Sequence, residues 1–143
     1  RVAQTVRGGP LSSGGTDVNK AELIERLAAE TGGDRKVAAA AVEAFVEVVD
    51  FVAGQTKANP NAVFAGSVPY LMLAGNLMAG WQMARALLVA EDRLAAGDEA
   101  AFMRAKISTA RFYSEHILSK APGVRDSIID GHAAVNDMAL ESF

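Results

Sequence analysis

Apolar residues return every three or four positions through most of this chain, a period that belongs to helices and not to strands. After Asn19, which stands three residues before Glu22 in a capping-box arrangement, the period is carried by Leu23, Ile24, Leu27, Ala28 and Thr31. Gly32 and Gly33 are placed to end that first helix, since Gly takes the left-handed C′ conformation without strain. Asp34 is placed to cap a second helix. Its stripe is Val37, Ala41, Phe45, Val48 and Val52, with Val42 and Val49 beside it and Lys36, Glu43, Glu47 and Asp50 off it. The pattern runs to about Gln55. Many of these residues are β-branched, but the helical period argues against a strand.

Asn59-Pro60 then punctuates the chain. Proline disfavours an α conformation at the residue before it and suits a first helical turn, so a short helical segment is expected from Pro60 to about Ser67. Pro69 kinks the chain or restarts it. A long helix follows from Tyr70 to about Ala96, closed by Gly97. Asp98 with Glu99 is placed to cap a fourth helix, whose apolar side is Phe102, Ile107, Ala110, Tyr113, Ile117 and Leu118. It is expected to stop before Pro122-Gly123. In the tail, Val124, Ile128 and Ile129 suggest a short helix that Gly131 interrupts.

Residues 8–17 read Gly-Gly-Pro-Leu-Ser-Ser-Gly-Gly-Thr-Asp, the composition of a flexible linker. The expected organisation is a linker over 1–17 and a helical bundle over 18–143. The fold class is all-α, a bundle of about four main helices with a long, mostly buried central helix among them. Of the 143 residues, 50% are hydrophobic and only 6% aromatic. Alanine makes up much of the difference, which favours helices and lets them approach closely.

The 14 basic and 17 acidic residues leave a net charge of −3. That balance supplies no basic field to gather nucleic acid. There is no cysteine, which excludes disulfides and thiolate zinc sites and suits a reducing cytoplasmic setting. The first residues have no apolar signal-peptide core and no initiator Met, so a processed chain or a piece of a longer one is expected. The 27 residues from Ala58 to Ala84 carry no charge, long enough to cross a bilayer. Asn59, Asn61, Ser67, Asn76, Gln82, Pro60 and Pro69 interrupt that stretch, and its flanks lack a membrane span's basic and aromatic anchors. A helix buried on most sides is expected instead. Gly75 and Gly80 within it suggest the close approach of another backbone.

No constellation for chemistry assembles from the spacing. His116 follows Glu115 on one helix, and adjacent helical residues do not face one another. His132 sits after Gly131 in a polar turn. Both read as surface or interface residues. Arg104, Lys106, Arg111, Lys120 and Arg125 crowd one part of the chain, with Glu115 and Asp126 among them. Contacts to an anionic partner are one reading; a solvated helix face is the favoured one. Glu47 and Glu91 show no partner in the sequence that would make either a general base. No metal-ligand spacing and no phosphate loop occurs, so no catalytic, cofactor-binding or metal residue is assigned.

From Asn59 to Phe112 the chain resembles the extra C-terminal helical domain of the larger bacterial acyl-CoA dehydrogenases. The residues that carry the likeness are Pro69-Tyr70-Leu71, Gly80-Trp81, Ala84-Arg85, Lys106 and Ala110-Arg111-Phe112-Tyr113. It covers roughly residues 34–121. The resemblance implies an enzyme that uses FAD to desaturate an acyl-CoA thioester, with a Glu taking the α proton and the flavin the β hydride. In that family the Glu lies in a Tyr-Glu-Gly-Thr-like motif upstream of the helical extension. No such motif occurs here, so Arg1 is expected to lie past it. The resemblance then implies a structural, substrate-entrance or subunit-contact role, with a dehydrogenase core and a second subunit as partners and FAD held by the rest of the enzyme. A stand-alone helical interaction module is the alternative. A second likeness, to the first two helices of HU-type histone-like proteins, rests on Asn19-Lys20-Ala21-Glu22-Leu23-Ile24, Thr31-Gly32, Lys36 and Ala44-Phe45. The uncharged helix that follows is unlike those proteins' basic β arms, and DNA binding lacks its electrostatic drive.

Overall fold

The computed structural model describes residues 35–142. The linker, the first helix from Asn19 and the Asp34 cap lie outside the described residues. Helix α1 spans Arg35–Ala58. Helix α2 is Pro60–Ala65, with Asn59 at its N-cap accepting a hydrogen bond from the Ala62 amide. Helix α3 is Ser67–Ala95 and α4 is Ala100–His116. A 3-10 turn at Leu118–Lys120 leads into α5, Ala121–Ile129, and then α6, His132–Asn136. A last 3-10 turn is Leu140–Ser142. There is no strand among the described residues, and the all-α bundle is the architecture.

The punctuation in the sequence falls where the elements break. Pro60 opens α2, and Pro69 sits in the first turn of α3, where a missing N–H leaves no helix bond unmade. Pro69 therefore starts a helix and does not kink one. Gly97, at φ +85°, takes the left-handed conformation that closes α3. The cap expected from Asp98 and Glu99 takes another form. Glu99 holds the N-cap position of α4 at φ 40°, and its side chain makes no capping bond. The apolar run around Pro122 continues the helical path into α5, with the fourth helix already ended at His116.

One core lies where α1, α3, α5 and the turn at Leu118 meet. It is built from Ala41, Val42, Val48, Leu73, Leu77, Leu118 and Ile128. The small side chains at Ala38, Ala41 and Ala44 let the helices close on one another. Beyond it, α3 and α4 run together as an antiparallel hairpin and bury Ala84, Leu87, Ala90, Met103 and Ala110. Two residues expected in the core lie outside it. Phe102 is 54% exposed, and its neighbour Met103 takes the buried place; Val49 sits at the solvent edge of α1.

The long uncharged helix is not enclosed on most sides. Burial on α3 follows one seam, Leu73, Leu77, Gly80, Ala84, Leu87 and Ala90, in steps of three or four residues. That is the narrow stripe of a helix with partners along one flank. Gly80 lies in the seam because a Cβ there would come 2.8 Å from Leu118 Cδ1. The close neighbour is a side chain, not the backbone the sequence suggested. Gly75 faces the other way, with nothing among the described residues within 4 Å of its Cβ position. No helix among the described residues is long and apolar enough to cross a membrane.

Candidate functional site

Two helices set the most distinctive surface of the molecule. Along the outer flank of α2 and α3, Phe64, Val68, Leu71, Met72 and Met78 stand in solvent. Phe64 is 70% exposed and Leu71 72%. The flank carries no charge until Arg85 because it falls within the uncharged stretch. Contiguous apolar surface of this kind on a folded domain marks a contact face. The sequence signal was present in the spacing 64, 68, 71, 75, 78. It was missed because the absence of charge was read as burial.

The flank runs into an open groove of about 620 Å³ between the second half of α3 and the first half of α4. Leu88, Val89, Phe102 and Met103 supply apolar lining, and Arg85, Arg93 and Lys106 supply charge; no carboxylate lines it. The Lys106 ammonium lies 5.1 Å from the centre of the Phe102 ring, a cation–π contact. Arg85 Nη1 donates to Gln82 Oε1 at 3.4 Å. None of the three cations is in an ion pair among the described residues.

The basic residues singled out in the sequence do not converge. Arg85, named in the sequence only among the residues of the family likeness, and Arg93, not singled out there, share the groove with Lys106, whereas Arg104 and Arg111 open onto a separate depression with Glu91. Arg111 lies 3.8 Å from Glu91. Arg125 instead draws in three carboxylates: Nε donates to Glu47 Oε2 at 2.6 Å, and Nη1 to Asp126 Oδ1 at 2.8 Å and Asp130 Oδ2 at 3.2 Å. The hydrogen bond to Asp126, and next that to Glu47, push the guanidinium pKa above its ordinary value. This ties α5 to α1. Glu47 and Glu91, seemingly partnerless in the sequence, are therefore each ion-paired. His116 stacks on Phe112 with ring centres 4.5 Å apart, and His132 lies 5.6 Å from Phe51. Both are packing contacts. No group of three His, Asp or Glu capable of holding a metal occurs among the described residues.

A more enclosed cavity, about 290 Å³, lies between α1, α3 and α5 and is lined mainly by Ala41, Leu73, Leu77, Leu118 and Val124. Asn76 and Lys120 are its polar members. Sites for drug-sized ligands run to roughly 300–1,000 Å³ with several convergent polar groups. This cavity is small and apolar for a flavin.

A family model described as Acetyl-CoA dehydrogenase C-terminal like matches residues 17–139. A curated relative, the 3-methylmercaptopropionyl-CoA dehydrogenase of Ruegeria pomeroyi, is 38% identical over 122 residues, covering 85% of this chain and 18% of that protein. This chain thus spans less than a fifth of the relative's length. No solved structure matches it.

Proposed function

Because the chain belongs to the Acetyl-CoA dehydrogenase C-terminal like family, we propose that it serves as the helical C-terminal domain of an FAD-dependent acyl-CoA dehydrogenase. The enzyme would desaturate an acyl-CoA thioester between its α and β carbons, in fatty acid breakdown or a related cytoplasmic pathway. The relative's name makes a short thioether acyl group, 3-methylmercaptopropionyl, one candidate for the acyl portion.

The domain's own part is contact. The observation that supports this is the open apolar flank of α2 and α3, with Phe64, Val68, Leu71 and Met78 in solvent and no titratable group among them. Burying such a flank against another surface removes apolar area from water, worth about 25 cal/mol per Å². The flavin belongs to the rest of the enzyme. No step of the redox chemistry is assigned to the described residues. A place beside the substrate entrance or at a subunit boundary suits the shape of the flank.

The test is the intact mass of the polypeptide that carries this sequence in its source, with its visible absorption spectrum. The expected result is a longer chain with bound yellow flavin and a Tyr-Glu-Gly-Thr-like segment upstream of Arg1. A species of 14.9 kDa without flavin or companion chain would sink this reading. The stand-alone helical interaction module would replace it, since the same flank would serve there.

A further inference from the structure

The core where α1, α3 and α5 meet is not filled. Ala41 on α1, Leu73 and Leu77 on α3, Leu118 in the turn, and Ala121 and Val124 on α5 enclose the cavity of about 290 Å³. Protein interiors are close-packed, and voids larger than a water molecule are few. All but Val124 among these residues are buried members of the core, so the cavity reaches into the core and is more than a dimple on its surface. Its cause is local. Leu73 and Leu77 stand one helical turn apart, as do Ala121 and Val124, so each helix turns one face to the space. Ala41 and Ala121 bring only a methyl group each, whereas Val48 and Ile128 fill the same core elsewhere on α1 and α5.

The cavity has one polar edge. Met72, Asn76 and Lys120 complete its lining. Met72 and Lys120 are exposed and Asn76 is half-buried, so these three mark the mouth and the apolar residues the floor. Asn76 gives its backbone carbonyl to Tyr113. Its carboxamide and the Lys120 ammonium have no hydrogen-bond or ion-pair partner among the described residues. No carboxylate lines the cavity. Glu47, Asp126 and Asp130 are taken up by Arg125. Glu43 and Glu115, the acids nearest in sequence to Ala41 and Leu118, lie outside the lining.

Charge and size together select the ligand. An apolar floor takes hydrocarbon. An ammonium and a carboxamide at the mouth are donors without acceptors, and a carboxylate supplies two acceptor oxygens. An apolar cavity of about 150 Å³ takes benzene, so one of about twice that volume has room for about twelve heavy atoms, the size of a ten-carbon monocarboxylate.

We propose that this cavity binds the free anion of an alkyl monocarboxylic acid of about eight to ten carbons. The chain lies against Leu73, Leu77, Leu118 and Val124, and the carboxylate is held by Lys120 and Asn76. The site is built wholly within this chain and takes no part in redox chemistry, so it goes beyond the reading above and stands or falls without it.

The test is isothermal titration calorimetry of decanoate, below its micellar concentration, into the full polypeptide that carries this sequence. The expected result is a saturable site, one per chain. Lys120→Glu, at an exposed position, should leave the circular dichroism unchanged and weaken decanoate about tenfold or more, the value of a hydrogen bond to a charged group. It should leave unchanged the weaker binding of decanol, which has the chain without the charge. Ala121→Leu fills the cavity and should abolish the binding of both. Butyrate, too short to reach the floor, should give no measurable heat. Absence of saturable decanoate binding overturns the proposal, as does decanol binding as tightly as decanoate or an affinity that Lys120→Glu leaves intact. Full binding to a folded Ala121→Leu variant overturns it too, because the ligand then sits elsewhere in the polypeptide. If Ala121→Leu fails to fold, Lys120→Glu and the decanoate–decanol contrast decide alone.

Discussion

The hydroxyl of Tyr113 on α4 donates to the backbone carbonyl of Asn76 on α3, 3.1 Å away. A helical carbonyl keeps a second lone pair after accepting its own helix bond, so this contact adds to α3 without unwinding it. It fixes α4 along the helix axis, which apolar packing alone does weakly, and it does so beside the turn that carries Leu118 into the core. The groove and the open flank are both held in place by this α3–α4 pairing.

Replacing Tyr113 by Phe keeps the ring and removes the bond. The expected loss is about 0.5–1.5 kcal/mol, read as a lower urea midpoint at unchanged slope. Burial raises the phenol pKa above its ordinary 10.0. The fold therefore favours the neutral form; that contribution is intact below pH 10.0 and fades as pH rises through the folded-state value. Between pH 10.0 and the raised folded-state value, wild-type stability should fall more steeply with pH than that of the Phe variant. Parallel curves would show that Tyr113 does not titrate with the fold.

Two glycines in helices should respond oppositely to alanine. At Gly54 in α1 nothing among the described residues lies within 4 Å of the new Cβ, so Gly54→Ala should gain about 0.5–1 kcal/mol from helix propensity. At Gly80 the Cβ meets Leu118 Cδ1 at 2.8 Å and Cδ2 at 2.9 Å. Leu118 is 2% exposed and has little room to move. Gly80→Ala should cost about 1–3 kcal/mol, the usual range for overpacking. Thermal melts of the two variants check the contrast, and equal shifts would mean that Leu118 yields freely.

The turn between α3 and α4 holds a strained residue. Glu99 sits at φ 40°, a left-handed conformation disfavoured for most side chains, and it forms no cap. Asn tolerates that conformation better. Glu99→Asn should therefore stabilise the protein by about 0.5–1 kcal/mol. At Gly97, φ +85°, alanine should destabilise by about 1 kcal/mol. Chemical denaturation of both variants reads the two signs.

Helix boundaries were legible because prolines and glycines act on backbone geometry one residue at a time. Pro60, Pro69 and Gly97 mark breaks wherever the chain packs. The facing of each helix was less legible. Phe102 looked like the first core residue of α4, yet the seam follows Met103, Ala110 and Ser114, a register that only the position of α3 decides. Glu47 and Arg125 stand 78 residues apart, and nothing in either local pattern announces the pair. The open flank was misread for a related reason. Hydrophobic residues on an open helix flank look, in the sequence, like residues of a buried helix.

Leu71 and Leu73 put that distinction to a direct test. They are two positions apart on α3, one 72% exposed and the other 1%. Leu73 lies in the core with Val42, Leu77 and Leu118. Leu73→Ala removes a buried side chain and leaves a cavity, at an expected cost of about 2–5 kcal/mol. Leu71→Ala should change the stability of the dilute chain by no more than about 0.5 kcal/mol, as for surface substitutions generally. Urea denaturation at low protein concentration measures both. A Leu71→Ala cost that is already large at dilution would place the flank inside the monomer's own core and remove the basis for any contact role.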